Sequence, residues 1–387
     1  MIRVAPDGES VRAFLNLLTT DASLDSRLPL LVGGFGFEPE ATVRPAAGFV
    51  LPEQMLVAQG ANIKTMTAQW VSPEDDLDQM LGTALRASNE LRDMALATPA
   101  LQPRPGPAEG TRHASSMSRE AFCNAVVRAL EIIRGGEVEK MVLSRGVDVE
   151  QATPFDISAI LGRLRDQHPL ASTFAVGEDR QVFLGATPEP LVALEDGHVR
   201  LLALAGSAPR STDPKTDAEL GQNLRESKKE QAEHAAVVRA LRPILEQTCE
   251  SLEIPEACSL LRLDRIQHLQ TPMSGRLREE HCAINVVDLA RRLHPTPAVA
   301  GSPAQEALRW ISKLEPVCRG WYTGGVGYVT ASAGGEIGVA LRCAQILGKK
   351  ATLYGGSGIV LGSDPEAEFI ETEFKLQAML SVLGAQS

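Results

Sequence analysis

The sequence has no cysteines at metal or redox spacing. Its six, Cys123, Cys249, Cys258, Cys282, Cys318 and Cys343, are scattered with no CxxC pair. That spacing argues against zinc and dithiol chemistry, and reduced thiols are expected. No apolar run reaches membrane-spanning length, and Met1 is not followed by a basic segment and an apolar stretch; a cytoplasmic enzyme is expected. No GxGxxG follows a strand pattern, which removes the dinucleotide reading. There is no internal repeat. Positive charge is also short: 38 Lys and Arg against 49 Asp and Glu leave a formal net charge of -11. That argues against nucleic acid or an anionic membrane as partner. An anionic small molecule stays open, because a site can be locally positive or carry a metal.

What is present is ordinary globular material. The 387 residues, 44% hydrophobic and 22% charged, suffice for one large domain or two smaller ones. In the variable N-terminal part, 1–98, Glu9 to Leu18 is amphipathic. Leu28 to Phe37 reads as a strand broken by glycines, and Gly48 to Ala58 and Asn62 to Trp70 as further strands. Pro73 to Ala97 has a helical leucine pattern at Leu77, Leu81, Leu85 and Leu91. Pro99, Pro103, Pro105 and Pro107 with Gly106 and Gly110 mark a flexible connector, 99–117. In the remaining core, 118–387, Ser118 caps a helix that ends at Gly135-Gly136. Short strands at 139–149, 171–176, 181–184, 191–195 and 198–204 with turns between them predict a largely antiparallel sheet. A long helix is expected from Ala218 to Leu252, and sheet again at 326–329 and 336–346. The pattern is α+β.

The chemistry concentrates near the C-terminal end. Val339 to Ile346 and Ala351 to Tyr354 read as a hairpin split by Gly348-Lys349-Lys350. Gly355-Gly356-Ser357-Gly358 then reads as a glycine cradle whose amides can face an anion. Asp364-Pro365 opens a helix that carries Glu368, Glu371 and Lys375 on one face. Glu230 and Glu233 repeat the i, i+3 spacing on the long helix. Two such pairs could clamp one octahedral Mg2+; the alternative for each is a solvated charged face. Lys140 alternates inward from a strand and is a candidate base if burial lowers its pKa. The alternative is an edge-strand lysine. Glu189, after Thr187-Pro188, is a candidate general acid if its pKa is raised, or a plain turn carboxylate. Gly206-Ser207 closes a strand and offers backbone amides. His268, following a strand, and His294, in a proline-fixed loop, are site candidates or structural histidines.

Taken in order, KMVLSR, FLGATPEPLV, LAGSAPR, KKEQAEH, HLQTPMSG, LHPTPAVAG, VALRCAQI and YGGSGIVLGSDPEAEFIETEFK are far more specific. From about Ser118 to Gly384 the chain resembles the chorismate-utilising enzymes, and within them the isochorismate synthases. Lysine at 140, Ala205 in place of a nucleophilic lysine, and the form of LHPTPAVAG all favour water as nucleophile over ammonia. The resemblance implies one chorismate-binding domain, 1–387. It implies an α/β sandwich of two large, mostly antiparallel sheets facing each other with helices outside. It implies Mg2+-dependent conversion of chorismate to isochorismate for menaquinone or siderophore biosynthesis, with Lys140 as base and Glu189 as acid. Glu233 and Glu371 match metal ligands, with Glu230 and Glu368 nearby or acting through water. Arg342, Lys375, Tyr322 and the amides of Gly356 and Gly358 match positions that hold the carboxylates; Gly206, Ser207, His268 and His294 match site positions. A monomer or weak homodimer is expected. The alternatives are a salicylate synthase and a catalytically inactive homologue.

Overall fold

The computed structural model describes residues 2–17, 29–38, 45–59, 62–68, 71–72, 74–97, 112–263, 266–316 and 318–384. Most of the expected connector, and the ends of several N-terminal segments such as Leu18, Leu28, Trp70 and Pro73, lie outside them. The chain opens with β1 (Ile2–Val4), α1 (Gly8–Leu17), β2 (Pro29–Phe35), β3 (Gly48–Leu51), β4 (Gln54–Gln59), β5 (Asn62–Thr67), α2 (Leu77–Ala97) and β6 (Arg112–Ser115). It continues through α3 (Arg119–Arg134), β7 (Lys140–Glu150), α4 (Ile157–Gln167), β8 (Ser172–Glu178), β9 (Gln181–Thr187), β10 (Pro190–Glu195) and β11 (His198–Pro209). Next come α5 (Pro214–Glu226), α6 (Lys228–Thr248), β12 (Cys249–Glu253), β13 (Ser259–Arg262), β14 (Ile266–Leu277), α7 (Val286–Leu293), β15 (Gly301–Ser302) and α8 (Ala304–Leu314). It closes with β16 (Gly325–Thr330), β17 (Gly335–Val339), β18 (Cys343–Leu347), β19 (Lys350–Val360) and α9 (Pro365–Leu383).

Two large sheets carry the fold. The first, of ten strands, runs β1-β3-β2-β16-β17-β10-β11-β14-β12, with β13 also on β14. The second, of seven, runs β15-β7-β19-β18-β9-β8, with β6 on β7. All strand pairs among the described residues are antiparallel. Met141, Leu143 and Ile359 of the second sheet share one core cluster with Val192, Leu201, Met273, Val329 and Ile337 of the first. Away from this core, Leu184, Ile346 and Leu353 pack under α4 and α9 through Ile160, Leu164, Leu376 and Met379. The architecture is the expected α/β sandwich.

Several boundaries differ from the sequence reading. The long helix is two: Ser227 interrupts it and caps α6 by accepting from the Glu230 amide, while residues 249–253 leave it for the first sheet. Gly48 to Ala58 is two strands in different sheets, β3 and β4. Residues 112–115 of the expected connector form β6 on β7. His268 lies inside β14, and β11 continues past Gly206 to Pro209 around a bulge at Ala205/Ser207.

The strand expected at Ala351 to Tyr354 runs on through the glycine cradle. Gly355 to Gly358 stay in β19, paired with Arg145 to Val142 of β7. A Cβ on Gly355 would lie 2.9 Å from the Thr372 carbonyl oxygen, and one on Gly358 2.2 Å from Glu233 Oε1. These glycines let α9 and α6 approach the sheet closely.

Candidate active site

One two-stranded ribbon passes from sheet to sheet, so the chain makes the crossing twice. β9 and β18 pair in the second sheet up to Gly185↔Cys343. β10 and β17 pair in the first from Pro190↔Gly338. The linking residues hold one another: the Ala186 amide donates to the Arg342 carbonyl at 3.1 Å, and the Val339 amide to the Glu189 carbonyl at 2.9 Å. Arg342 takes a left-handed φ of 46° there. Glu189 on one crossing and Arg342 on the other both line a cavity of about 690 Å³. The expected single run from Val339 to Ile346 is thus broken at this crossing.

The two charges differ in their surroundings. Glu189 is buried, and burial pushes its pKa up to about 7 although Lys140 and Lys375 pull it down. Its side chain thus carries a proton for much of its time near neutrality. No carboxylate pairs with Arg342 among the described residues, and burial lowers its pKa to about 10, still a cation at neutral pH. An unpaired guanidinium in a cavity wall is suited to a carboxylate ligand.

The acidic pairs face the same space: Glu230 and Glu233 of α6 and Glu368 and Glu371 of α9 all line the cavity. Each is held by a lysine. Lys140, fully buried, places Nζ 2.9 Å from Glu233 Oε1. Lys229 Nζ is 3.2 Å from Glu230 and 2.7 Å from Glu368. Lys375 Nζ is 2.7 Å from Glu371 and donates to the Gly356 carbonyl at 2.9 Å. Burial and the neighbouring Glu233 raise the pKa of Glu230; burial and Glu371 raise that of Glu368. Burial opposes the charge on Glu371 too, but Lys375 outweighs it and holds that carboxyl below its usual range. Against the same burial, Glu371 lifts Lys375 to about 12.

Four mutually repelling carboxylates suit a hard cation such as Mg2+ in chemistry. Among the described residues, however, no three acidic, histidine or cysteine side chains converge tightly enough to hold a metal. A cation here would have to take carboxylates from their lysines.

Around this centre, Gly206 has φ 78°, and the bulge aims the Ser207 amide at Glu230 Oε2 at 3.1 Å. Ser207 Oγ donates to Glu371 at 3.5 Å. His268 stands opposite Ser207 across the pair and lines the cavity. Burial, then Arg342 and Lys375, lowers its pKa to about 3, so it acts as a neutral imidazole. Tyr322 is buried, its pKa raised to about 12 by that burial. Its ring stacks on Tyr354 at 5.0 Å. Gly356 turns its carbonyl away from β7 toward Lys375, and in an antiparallel strand the amide of the same residue follows.

His294 does not line the cavity. Its Nε2 donates to the Thr323 carbonyl at 2.8 Å, and its ring meets Phe35 and Phe37 edge-on. Burial lowers its pKa to about 4. Its contact with the cavity is indirect, through Thr323.

The model for "Chorismate binding enzyme" matches residues 9–384. The chain belongs to the chorismate-binding enzymes. Among these enzymes it is 36% identical to the salicylate biosynthesis isochorismate synthase of Pseudomonas aeruginosa, over 95% of this chain and 77% of that one. It is 31% identical to the isochorismate synthase MenF of Bacillus subtilis, over 92% and 75%. The structure of MenF, the menaquinone-specific isochorismate synthase of Escherichia coli, superimposes with a TM-score of 0.80 at 26% identity, covering 99% of this chain and 84% of that one.

Within this chorismate-binding enzyme, the cavity residues that sequence did not single out include Lys229, Tyr354 and Leu341. Lys229 sits beside Lys228 in a charged helix start, and nothing in the spacing tells which of the two turns inward. Tyr354 closes an apolar strand run and reads as core. Leu341 precedes Arg342 and is simply apolar. Arg319 was missed too: fully buried, it binds Glu315 and the carbonyls of Val299 and Val142, tying the 294–301 loop to β7.

Proposed function

We propose that the chain is an isochorismate synthase. The observation that carries this is Glu189: a buried carboxyl with its pKa near 7, in one cavity with the unpaired Arg342 and beside the Lys140 ammonium. Chorismate is a dicarboxylate with a C4 hydroxyl. In the reaction water adds at C2, the ring double bonds shift, and the C4 hydroxyl leaves as water. One group must take a proton from the attacking water and another must give one to the departing oxygen. Lys140 is the base and acts from its amine form, so its pair with Glu233 has to part first. Glu189 is the acid, and its raised pKa keeps it protonated at working pH. Arg342 and Lys375 take the substrate carboxylates, with the Tyr322 hydroxyl and the Gly356 and Gly358 amides beside them. Neutral His268 offers hydrogen bonds without adding charge.

Mg2+ is part of the proposal. Held by Glu233 and Glu371, with Glu230 and Glu368 direct or through water, it would neutralise the ring carboxylate and draw Glu233 from Lys140. The product would enter a menaquinone or siderophore route; of the relatives named above, one is menaquinone-specific and one serves salicylate biosynthesis. Purified protein with chorismate and Mg2+, followed by chromatography, tests the reading. Isochorismate is the expected product. Salicylate with pyruvate would make it a salicylate synthase, and absence of turnover would make it a binding homologue.

A further inference from the structure

One ammonium joins the acidic faces of α6 and α9. Lys229 Nζ lies 3.2 Å from Glu230 Oε1 on its own helix and 2.7 Å from Glu368 Oε1 on the other. The remaining two lysines do not bridge the helices. Lys375 pairs within α9, and Lys140 reaches Glu233 from β7. Among the described residues Lys229–Glu368 is therefore the one salt bridge between α6 and α9. Glu368 is 1% exposed, and a buried carboxylate of this kind needs a counter-charge.

We propose that Lys229 is a resident counter-cation: it holds α6 and α9 together before a divalent cation binds, and releases Glu368 when that cation enters. The inference rests on the magnesium reading above. An ammonium and a divalent ion in contact with the same carboxylate repel strongly at low dielectric. Binding is then an exchange, and the affinity for the ion is set partly by what it displaces. Without Lys229 the site is one charge more negative and loses its internal competitor.

Thermal melting in EDTA and across a magnesium chloride titration tests this with wild type, Lys229→Met and Lys229→Arg. Lys229→Met should melt below wild type in EDTA. It should gain more at any given Mg2+ concentration and begin to respond at a concentration roughly tenfold lower. Lys229→Arg keeps the charge and should follow wild type. A Mg2+ gain in Lys229→Met equal to or smaller than that of wild type, or one that sets in at the wild-type concentration, overturns the proposal. If neither protein responds to Mg2+ at all, the magnesium reading falls with it. Should Lys229→Met not fold in either condition, Lys229→Gln is read by the same two criteria.

Discussion

A buried carboxyl with a pKa near 7 is a burden on the fold, and Glu189 is such a group. Its ordinary value is 4.5 and its folded value is about 7. Below pH 4.5 both folded and unfolded forms are protonated and there is no cost. Between the two values the unfolded chain ionises first, so stability falls; above 7 the cost is constant, about 3 kcal/mol. Glu189→Gln should therefore be more stable than wild type at pH 8 by up to that amount, with the difference vanishing toward pH 4.5. Urea denaturation at a series of pH values checks it, and a pH-independent difference would sink the idea. The same variant, and Lys140→Ala, should lose about 100- to 10,000-fold in kcat while still binding chorismate. Single-residue chemistry was legible where residue type is out of character for its place, as with a lysine alternating inward at 140. It was not legible for Lys229, because two adjacent lysines look alike until the helix phase is known.

The elements aim these groups through close approach and capping. Asp364 accepts from the Ala367 amide at 2.9 Å and starts α9 where the sequence placed it. Asp364→Ala should cost about 1 kcal/mol in urea denaturation with little change in KM. The glycines of β19 act differently. A Cβ on Gly358 would fall 2.2 Å from Glu233 Oε1 and 3.0 Å from Lys140 Cε. Gly358→Ala should thus displace both groups and lower kcat by roughly 100-fold, and steady-state kinetics beside a melting curve would separate this from unfolding. Helix caps were readable because they are local. The role of Gly355 to Gly358 was not, because it depends on how near α6 and α9 come, and no local pattern records that distance.

At the scale of the molecule, the site exists only where the two sheets meet. Strand alternation and short turns announced antiparallel sheets. The change of sheet at Pro188-Glu189 and at Ala340 to Arg342 was invisible, since apolar runs do not say which sheet they join. Because the metal proposal needs carboxylates from two helices, EDTA should abolish turnover, and Glu233→Ala should do so without unfolding the chain. Activity retained in EDTA would remove the metal from the mechanism.

The strand order has a consequence for synthesis. β16 and β17 stand between β2 and β10 in the first sheet, and β19 and β18 between β7 and β9 in the second. Residues 325–360 thus supply the middle of both sheets. A nascent chain emerging from the ribosome at about 5–20 residues per second would hold two unjoined halves of each sheet until residues 325–360 appeared. Released fragments ending before Gly325 should bind dyes for exposed apolar surface and recruit chaperones, whereas a chain that includes residues 325–360 should close both sheets.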